Sequence, residues 1–549
     1  MSYRNIFLFS CFYLLSITSC FAESILQNSL PKKKLKILID SPSLSFSHIQ
    51  FQGKLADVLV EAGHEVHILM LNIDPKMANY TGSSKAYKVM RVERPPQNHD
   101  VMSSVQDIDS PFRGVQRNFQ MWSQFIELMS GFCEDLVFDK ELMASLKAEK
   151  YDVGISEFYG HCPFAIFHHV GIKTKIASYA IQLTSMAGYQ FGIPTLSSYV
   201  PNIIAPTIDG ANMNFMQRAL NLFTDTYETF YLRNKSPSTI QPIVNKAFGP
   251  DFPSVKEINK NISLLFTNAN EFFEFPHPVS NKVIYIGGIV QSKAKPIQSE
   301  VKAVLDKSNK GVVLFSFGSI TDTTKMSVAM KQAFLKAFAH FPQYDFIWKF
   351  KLGINDSSLL APNVHLFNWL DQKAVMEHLN LKAFITHCAV PLFGDQLFNA
   401  ALVKHKAIGE YVDIRQAEEP QVIIDALDQV LNNPIYRQNA RILQKKLQMS
   451  PFKPAEKLVK WVEFASEFSE LNELNLPMDE LNFFAYYCLD VIFAGIAVLI
   501  IVLWTLTVAL RRLLPVLYHY SGIFIRDQSI NFRKFSAKYN RYVRGGLEQ

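Results

Sequence analysis

The sequence predicts an α/β protein with two doubly wound, Rossmann-like domains that face each other across a cleft, plus one C-terminal transmembrane helix. Three observations favour this fold class: two separate series of apolar runs alternate with helical patterns, a polar linker divides them, and an uncharged apolar segment lies near the C terminus. A chain of 549 residues is too long for one compact core. A hydrophobic content of 48% with 19% charged residues excludes a disordered or low-complexity protein.

The first series begins after the lysines at 32–34. Apolar residues 35–39 predict a buried strand, residues 40–46 a loop, and the following pattern a helix that ends at Gly63. Residues 64–71 predict the next strand, and this order of elements indicates a βαβ unit with a parallel sheet. Further strands are predicted at residues 153–156 and 176–179.

The second series starts at Gly311 with a predicted strand at 312–317, followed by a turn at Gly318 and Ser319. A helix follows, with its apolar face formed by Met326, Met330, Phe334, Ala337 and Phe341. Strands are predicted at 346–349 and 383–386, with a short helix at 373–381 between them. Because no Gly-x-Gly-x-x-Gly pattern follows any predicted strand, a dinucleotide oxidoreductase is disfavoured.

Both ends of the chain indicate a membrane protein. Arg4, an apolar run from residue 6 to 17 and small residues up to Ala22 predict a secretory signal peptide at 1–22. Residues 491–510 form a stretch of 20 residues without a charge, which predicts a transmembrane helix. The tail 511–549 has eight basic and two acidic side chains, a net charge of +6, which equals that of the whole chain. The positive-inside rule therefore places the tail in the cytoplasm and the body in the lumen, as expected for a single-pass type I protein.

The basic tail is expected to contact anionic membrane lipid rather than nucleic acid, because it directly follows the membrane segment. Cys133 and Cys162 are expected either to form a disulfide or to be ordinary buried thiols, and no Cys/His spacing suggests a metal site. Asn79, Asn261 and Asn355 fit the glycosylation acceptor pattern. The predicted boundaries are a signal peptide at 1–22, a first domain at 23–290, a second domain at 291–470, a juxtamembrane segment at 471–490, the transmembrane helix at 491–510 and the basic tail at 511–549.

Four separated motifs of the second series point to one family. They are Phe315-Ser-Phe-Gly-Ser319, Trp369-Leu-Asp-Gln372, Phe384-Ile-Thr-His387 and Pro391-Leu-Phe-Gly-Asp-Gln396. With the Ser-Phe-Ser-His sequence that ends at His48, they make the chain resemble the UDP-glycosyltransferases, in particular the membrane-anchored animal UDP-glucuronosyltransferases. The resemblance implies the GT-B fold, with an N-terminal acceptor-binding domain and a C-terminal domain that binds the UDP-sugar.

The resemblance assigns His48 as the catalytic base, on a loop at the carboxyl edge of the first sheet. An imidazole there can accept a proton from an acceptor hydroxyl as the hydroxyl attacks the sugar. The partner carboxylate of the family, an Asp, aligns with Glu157, which is one methylene longer. Asp152 is the competing carboxylate, although it precedes the predicted strand instead of following it.

The same resemblance assigns the residues that bind the donor. Trp369 offers a flat apolar face for uracil, with the alternative that it is a core tryptophan, and Gln372 matches the family residue beside the nucleoside. Ser319 and His387 are expected near the diphosphate. Asp395 and Gln396 match the pair that hydrogen-bonds the transferred sugar.

One segment departs from the family pattern. His387 is followed by Cys388, two further residues and then directly by Pro391, so the segment is shorter than the pattern by roughly sixteen residues. The glycine pair, the phosphate-binding helix start and the ribose carboxylate have no counterpart here. Because a crossover to a parallel strand needs about a dozen residues or more, a helix and most of a strand are expected to be absent from the second sheet.

The expected function is therefore transfer of glucuronic acid or glucose, with inversion, from a UDP-sugar to a hydroxyl of a small lipophilic acceptor in the endoplasmic reticulum. No cofactor is expected, since the UDP-sugar is a co-substrate, and a homo- or hetero-oligomer with relatives remains open. The alternative is a catalytically inactive relative, which would act as a membrane-anchored protein that binds hydrophobic ligands or pairs with an active partner.

Overall fold

The computed structural model describes residues 33–73, 77–93, 112, 119–204, 209–291, 295–318, 321–350, 361–386, 389–392, 394–479 and 481–545. The signal peptide predicted at 1–22, Ser319, Asn355 and His387 lie outside these residues. The chain divides after Leu476 into two compact units, Met1–Leu476 and Pro477–Gln549.

The first sheet of the larger unit is entirely parallel and has the strand order β3-β2-β1-β4-β5-β6-β7. Its strands are β1 (Lys36–Asp40), β2 (Glu65–Leu71), β3 (Lys88–Val92), β4 (Val153–Glu157), β5 (Thr174–Tyr179), β6 (Leu264–Thr267) and β7 (Val283–Tyr285). Strand order reverses between β1 and β4, whose residues pair from Ile37 opposite Val153 to Asp40 opposite Ser156. This reversal defines the doubly wound topology predicted for the first domain.

The helices of the first domain cover both faces of this sheet, which buries its apolar strands. They are α1 (Phe46–Glu61), α2 (Phe119–Val137), α3 (Lys140–Ala148), α4 (Cys162–His169), α5 (Ser185–Gln190), α6 (Phe215–Tyr227), α7 (Arg233–Phe248) and α8 (Val255–Lys260). α1 ends at Glu61, two residues before the predicted end at Gly63. Gly63 has a φ of 99°, which turns the chain after the helix, and the N–H groups of Gly63 and His64 bond the carbonyls of Val60 and Leu59.

The second sheet is also parallel and has the order β10-β9-β8-β11. It contains β8 (Val312–Phe315), β9 (Asp345–Lys349), β10 (Val364–Phe367) and β11 (Leu381–Ile385). The helices of this part of the chain are α9 (Ser299–Lys307), α10 (Val328–Ala339), α11 (Gln372–Met376), α12 (Gln396–His405), α13 (Pro420–Asn432), α14 (Pro434–Gln448) and α15 (Pro454–Phe468). Aromatic side chains of β8, β9 and α10 stack in its core, with Phe315 and Trp348 at 4.9 Å between ring centroids.

Two predicted elements of the second domain have different bounds in the structure. The predicted strand 312–317 ends at Phe315, because the chain turns at Gly318, which has a φ of 82°. The predicted helix 373–381 is α11, which ends at Met376, and Leu381 already belongs to β11.

The last helix of the larger unit, α15, packs on the first sheet and not on the second. Leu458, Val462 and Ala465 join the cluster formed by β1, β2 and α1. Residues 291–470 were predicted to form the second domain, but this interval ends in α15, which packs on the first domain.

The smaller unit contains a short helix, α16 (Phe483–Tyr486), and a long one, α17 (Leu489–Gly545). Residues Leu489–Arg541 of α17 are long and apolar enough to cross a membrane, and the most apolar window is entirely exposed. α17 includes the predicted span 491–510 but continues through the basic tail. The helix does not end at residue 510, because Arg511, Arg512 and the leucines after them are good helix formers.

A disulfide joins Cys133 of α2 to Cys162 at the start of α4, with 5.7 Å between the Cα atoms. Of the two expectations for these residues, the disulfide is the one observed. Cys488 is a free, exposed thiol.

We expect replacement of Cys133 and Cys162 by serine to lower the stability of the protein by about 2–4 kcal/mol, because the disulfide restricts the unfolded chain. Thermal or urea unfolding of the purified full chain measures this change. Cys488→Ser is the matched control and should leave the unfolding midpoint unchanged. An unchanged midpoint in the double variant would show that the disulfide contributes nothing.

Candidate active site

A cleft of about 1640 Å³ separates the two sheets. Residues from both domains line it, including Phe46, Gln50 and Asn268 from the first and Lys349, Trp369 and Asp395 from the second. Strand order reverses at β1/β4 in the first sheet and at β8/β11 in the second. Ligands of doubly wound proteins bind outside the carboxyl ends of the strands at such reversals, so this cleft is the candidate site.

His48 lies in the first turn of α1, two residues after the helix begins. The predicted loop placement was therefore wrong by a few residues, since the loop after β1 ends at Ser45 and the helix starts at Phe46. The side chain of His48 is 20% exposed. Phe46 and Gln50, which precede and follow His48 in α1, line the cleft.

The partner of His48 is Glu157, the last residue of β4. Nδ1 of His48 lies 2.9 Å from Oε1 and 2.9 Å from Oε2 of Glu157. The backbone N–H of Ala180, just after β5, donates to Oε1 at 2.8 Å and fixes the buried carboxylate. The extra methylene of Glu is thus compatible with contact to the imidazole.

Asp152, the competing carboxylate, is directed elsewhere. It accepts a hydrogen bond from the backbone N–H of Lys36 at 2.9 Å and pairs with Lys33. Both contacts lie at the amino ends of β1 and β4, at the opposite edge of the sheet from His48. The fold therefore brings Glu157, and not Asp152, to the imidazole.

Opposing effects act on the pKa of His48. Burial by itself would lower the pKa of His48, but the charge and hydrogen bond of Glu157 outweigh this effect, with a further contribution from the charge of Asp395. The pKa of His48 is consequently raised above its ordinary value. The contribution of Asp395 also shows that a carboxylate of the second domain lies within electrostatic reach of the imidazole.

Two further residues of the first domain adjoin this pair and were missed by sequence reasoning. The hydroxyl of Tyr159 lies 3.2 Å from Nδ1 of His48, and burial, with the charge of Glu157, raises the pKa of Tyr159 well above its usual range. Asp40 ends β1 and accepts a hydrogen bond from Ser156 at 2.8 Å. Burial, partly opposed by Ser156 and reinforced by Glu157, raises the pKa of Asp40 to about 7. In the sequence, the only indication of a functional role for Asp40 and Tyr159 is that they lie at or just after the carboxyl ends of β1 and β4, where ligands of doubly wound proteins bind.

On the opposite wall, the indole of Trp369 is 64% exposed and borders the cleft, so the alternative of a core tryptophan is wrong. Gln372 is the first residue of α11 and also lines the cleft. Asp371 caps this helix by accepting from the N–H of Ala374, which holds the loop that carries Trp369 against α11.

Lys349 was not recognised as a site residue from the sequence, although it ends β9. Its Nζ lies 4.2 Å from the centroid of the Trp369 ring and donates to the carbonyl of Gly318 at 3.3 Å. Burial lowers the pKa of Lys349. The ammonium group thus stands between the exposed indole and the turn that follows β8.

Asp395 and Gln396, the two residues predicted to bind the sugar, have different surroundings in the structure. Asp395 borders the cleft and accepts from the side chain of Asn399 at 2.8 Å. Gln396 is buried and accepts from the backbone N–H of Leu392 at 2.8 Å, so it supports the loop and does not line the cleft. α12, which begins at Gln396, packs on the first domain through Phe398 and Phe275, whose ring centroids are 5.3 Å apart.

Ser319 and His387 lie outside the described residues, so their expected contacts with the diphosphate stay predictions. β11 leads through residues 386–395 directly into α12, and no strand follows β11 in the described part of the second domain. That the segment is shortened relative to the family also stays a prediction.

Comparison with solved structures places the larger unit in one fold class. Phytolacca americana UGT2, solved with UDP-2-fluoro-glucose and pterostilbene, superposes with a TM-score of 0.51 and 15% identity, over 79% of this chain and 100% of that one. The calicheamicin glycosyltransferase CalG4 gives a TM-score of 0.52 and 15% identity, over 79% and 98% of the two chains. The protein therefore has the GT-B glycosyltransferase fold, as predicted.

Sequence comparison identifies the family. Residues 36–516 match the family described as UDP-glucoronosyl and UDP-glucosyl transferase. Human UDP-glucuronosyltransferase 2B15 is 27% identical over 494 residues, which cover 84% of this chain and 90% of that protein. The Caenorhabditis elegans protein ugt-48 is 31% identical over 505 residues, which cover 85% of this chain and 93% of that protein. The chain belongs to the UDP-glycosyltransferase family, which confirms the resemblance.

We expect Glu157→Gln to lower the pKa of His48, because the variant removes the negative charge and keeps the size of the side chain. An NMR titration of histidine-labelled protein, with His48→Gln to assign the signal, measures this shift. Asp152→Asn is the matched control, since it neutralises the carboxylate at the other edge of the sheet and should leave the His48 titration unchanged. An unshifted His48 in Glu157→Gln would contradict the electrostatic coupling.

Proposed function

We propose that this protein transfers a sugar, glucuronic acid or glucose, from a UDP-sugar to the hydroxyl of a small lipophilic acceptor, with inversion at the anomeric carbon. The observation that carries this proposal is the His48–Glu157 pair at the edge of the first sheet, with the exposed Trp369 on the opposite wall of the cleft. Family membership supports UDP-sugar as the donor. The UDP-sugar is a co-substrate, and the proposed reaction uses no resident cofactor.

The proposed base is Nε2 of His48. Because Nδ1 faces the carboxylate of Glu157, the hydrogen on Nδ1 is held there and Nε2 is left to accept the proton of the acceptor hydroxyl. The hydroxyl oxygen then attacks the anomeric carbon, and the bond from that carbon to the diphosphate breaks. UDP leaves with the bonding electron pair, and Glu157 stabilises the imidazolium that forms.

The proposed donor site is built around Trp369. The exposed indole face can stack on uracil, and Gln372 lies beside it on the same wall. Lys349, between the indole and the turn at Gly318, would place a positive charge next to the diphosphate. Asp395 borders the cleft within electrostatic reach of His48 and is the proposed contact for the transferred sugar.

A lipophilic acceptor is supported by the surroundings of Glu157. A small pocket beside it is lined by the apolar side chains of Ile126, Met129 and Ile240 and by the ring of Tyr159. In addition, the plant protein of the same fold was solved with a UDP-sugar and pterostilbene together. This pocket holds only about 20 Å³, so an acceptor would place a small apolar group here, its hydroxyl toward the imidazole and its body in the larger cleft.

We propose that the protein is anchored in the endoplasmic reticulum membrane by α17, with the body in the lumen and the basic tail in the cytoplasm. The apolar helix and the positive charge after residue 510 support this orientation. The disulfide between Cys133 and Cys162 also suits an oxidising lumen. Asn79 and Asn261 would be glycosylated there, and pairing with relatives stays open.

The direct connection from β11 to α12 favours a second candidate function. If the missing segment removes the phosphate and ribose contacts, the protein would be an inactive relative that binds hydrophobic ligands or pairs with an active enzyme. Binding of UDP separates the two functions, since only the first requires it.

We expect UDP to bind saturably and to raise the unfolding temperature of the full chain, because ligand bound to the folded state stabilises it. Trp369→Ala should weaken this binding roughly 5- to 150-fold, which corresponds to the loss of about 1–3 kcal/mol of base stacking. Leu379→Ala, at a site that is 92% exposed and does not line the cleft, is the control. Absence of binding at millimolar UDP would favour the inactive relative.

We expect His48→Ala to reduce kcat by about 10²–10⁴-fold, because the variant lacks the base, and to leave UDP binding intact. Transfer to a phenolic acceptor, measured together with the UDP titration, tests both statements. Ser47→Ala changes the neighbouring exposed residue of the same helical turn and should retain full activity. Undiminished turnover in His48→Ala would remove His48 from the mechanism.

A further inference from the structure

A small cavity lies beside the cleft, at the junction of the two domains, and contains buried polar groups that the proposed reaction does not use. Its volume is about 30 Å³, which is enough for one water-sized group. Gln182 and Glu274 line both this cavity and the cleft, so the two spaces adjoin. Phe398 of α12 lines the cavity from the second domain. We call this space the junction cavity.

Gln182 brings an unused hydrogen-bond donor to this cavity. The residue is 6% exposed, and its Nε2 has no hydrogen-bond partner among the residues that the structure describes. Gln182 comes two residues after Ala180, whose N–H holds the carboxylate of Glu157. Two residues of chain span at most about 7 Å, so Gln182 stands close to the pair formed by His48 and Glu157. A buried donor without a partner costs free energy, and a ligand group that accepts its hydrogen bond removes this cost.

His277 brings an unused acceptor to the same cavity. Its Nδ1 lies 2.7 Å from the carbonyl oxygen of Phe275. Because a carbonyl oxygen only accepts, the hydrogen of the neutral imidazole is on Nδ1, and Nε2 has a lone pair. This Nε2 is buried and forms no hydrogen bond with any described residue. The imidazole therefore offers a free acceptor at the wall of the junction cavity.

Glu274 completes the polar lining. The residue is 6% exposed, and burial raises the pKa of its carboxyl to about 8, although the charge of Lys406 partly opposes this effect. The carboxyl is therefore mainly protonated near pH 7, so it can donate as well as accept a hydrogen bond. Phe275, the next residue, packs against Phe398 with 5.3 Å between the ring centroids, which holds this segment at the domain junction.

We propose that the junction cavity binds a second hydroxyl group of the acceptor, so that lipophilic diols bind better than the corresponding mono-ols. A hydroxyl group both accepts and donates, so it can accept the hydrogen bond of Gln182 and donate one to Nε2 of His277. Ile193, Leu196 and Val200 are among the apolar residues that line the rest of the cavity. An uncharged hydroxyl is therefore favoured over a charged group, which would lose its hydration there. The inference rests on the proposed function, because it adds a specificity-determining subsite to the same site.

The acceptor is a better source of this hydroxyl than the transferred sugar. Gln182, Glu274 and His277 all belong to the first domain, which also holds the proposed base, His48. Asp395, the proposed contact for the sugar, belongs to the second domain. A water molecule would also satisfy the three polar groups, and the experiment separates these occupants.

The test compares dihydroxynaphthalenes and dihydroxybiphenyls, which have the second hydroxyl at different positions, with naphthol and phenylphenol, which lack it. The full chain in detergent is titrated with each compound by calorimetry, and the KM for each compound is measured in the transfer assay. Gln182→Leu removes the amide donor at nearly the same volume, and His277→Phe removes the acceptor. Gln421→Leu is the matched control, because it makes the same change at an exposed site of α13 that lines neither the cleft nor the junction cavity. Each variant is first shown to keep the unfolding midpoint of the unsubstituted protein.

We expect at least one diol to bind about 3- to 10-fold more tightly than its mono-ol, which is the effect of one hydrogen bond, with a matching decrease in KM. This preference should disappear in Gln182→Leu and His277→Phe and persist in Gln421→Leu. Equal binding of all diols and mono-ols to the unsubstituted protein would overturn the inference and leave the cavity to water. A higher KM for the UDP-sugar in Gln182→Leu, with the diol preference retained, would also overturn it, because the hydroxyl would then belong to the sugar.

The two measurements separate this inference from the proposed function. If diols bind preferentially but no sugar is transferred, the proposed function fails and the hydroxyl subsite is supported. If transfer proceeds with equal KM for diols and mono-ols, the proposed function stands and the subsite is wrong.

Discussion

The contact between the imidazole of His48 and the carboxylate of Glu157 depends on one feature of the fold, the parallel pairing of β1 with β4. The two residues are 109 positions apart in the chain, yet each follows or ends one of two neighbouring strands. Strand order reverses at this pair, so the connections leave toward opposite faces and open a crevice between them. β5, the next strand, supplies the N–H of Ala180 that fixes the carboxylate. The edge of the sheet thereby holds three groups that no local sequence pattern brings together.

The opposite wall of the cleft is built by the same topology in the second sheet. Lys349 ends β9, and its ammonium lies over the ring of Trp369, which follows β10. α12 carries Asp395 at its start and packs on the first domain through Phe398 and Phe275. This packing fixes the position of Asp395 relative to His48, which explains why the carboxylate affects the pKa of the imidazole. A carboxylate carried by the second sheet therefore contributes to the pKa of an imidazole carried by the first.

Among the residues that the structure describes, β11 is the outermost strand on its side of the second sheet, and its partial burial is typical of an edge strand. The central strand β8 is completely buried, whereas several residues of β11 are only half-buried. Val390 and Leu392, from the short connection after β11, nevertheless pack in the core with Phe346. The apolar interior is thus retained around a sheet with fewer strands than the first. A parallel sheet cannot be extended by so short a connection, because a crossover needs about a dozen residues or more.

Sequence alone determined the α/β class, the turn at Gly63 that follows α1 and the apolar C-terminal helix, because apolar periodicity and glycine conformation are local properties. It also singled out His48, Glu157 and Trp369 through a family resemblance. Only the tertiary structure decided that Tyr159, Asp40 and Lys349 adjoin these residues, that Gln396 supports a loop, and that α15 packs on the first sheet. It also decided that Glu274 and His277, which follow β6, line the same small cavity as Gln182, which follows β5. Such contacts join distant parts of the chain, and their geometry exists only after the elements have packed.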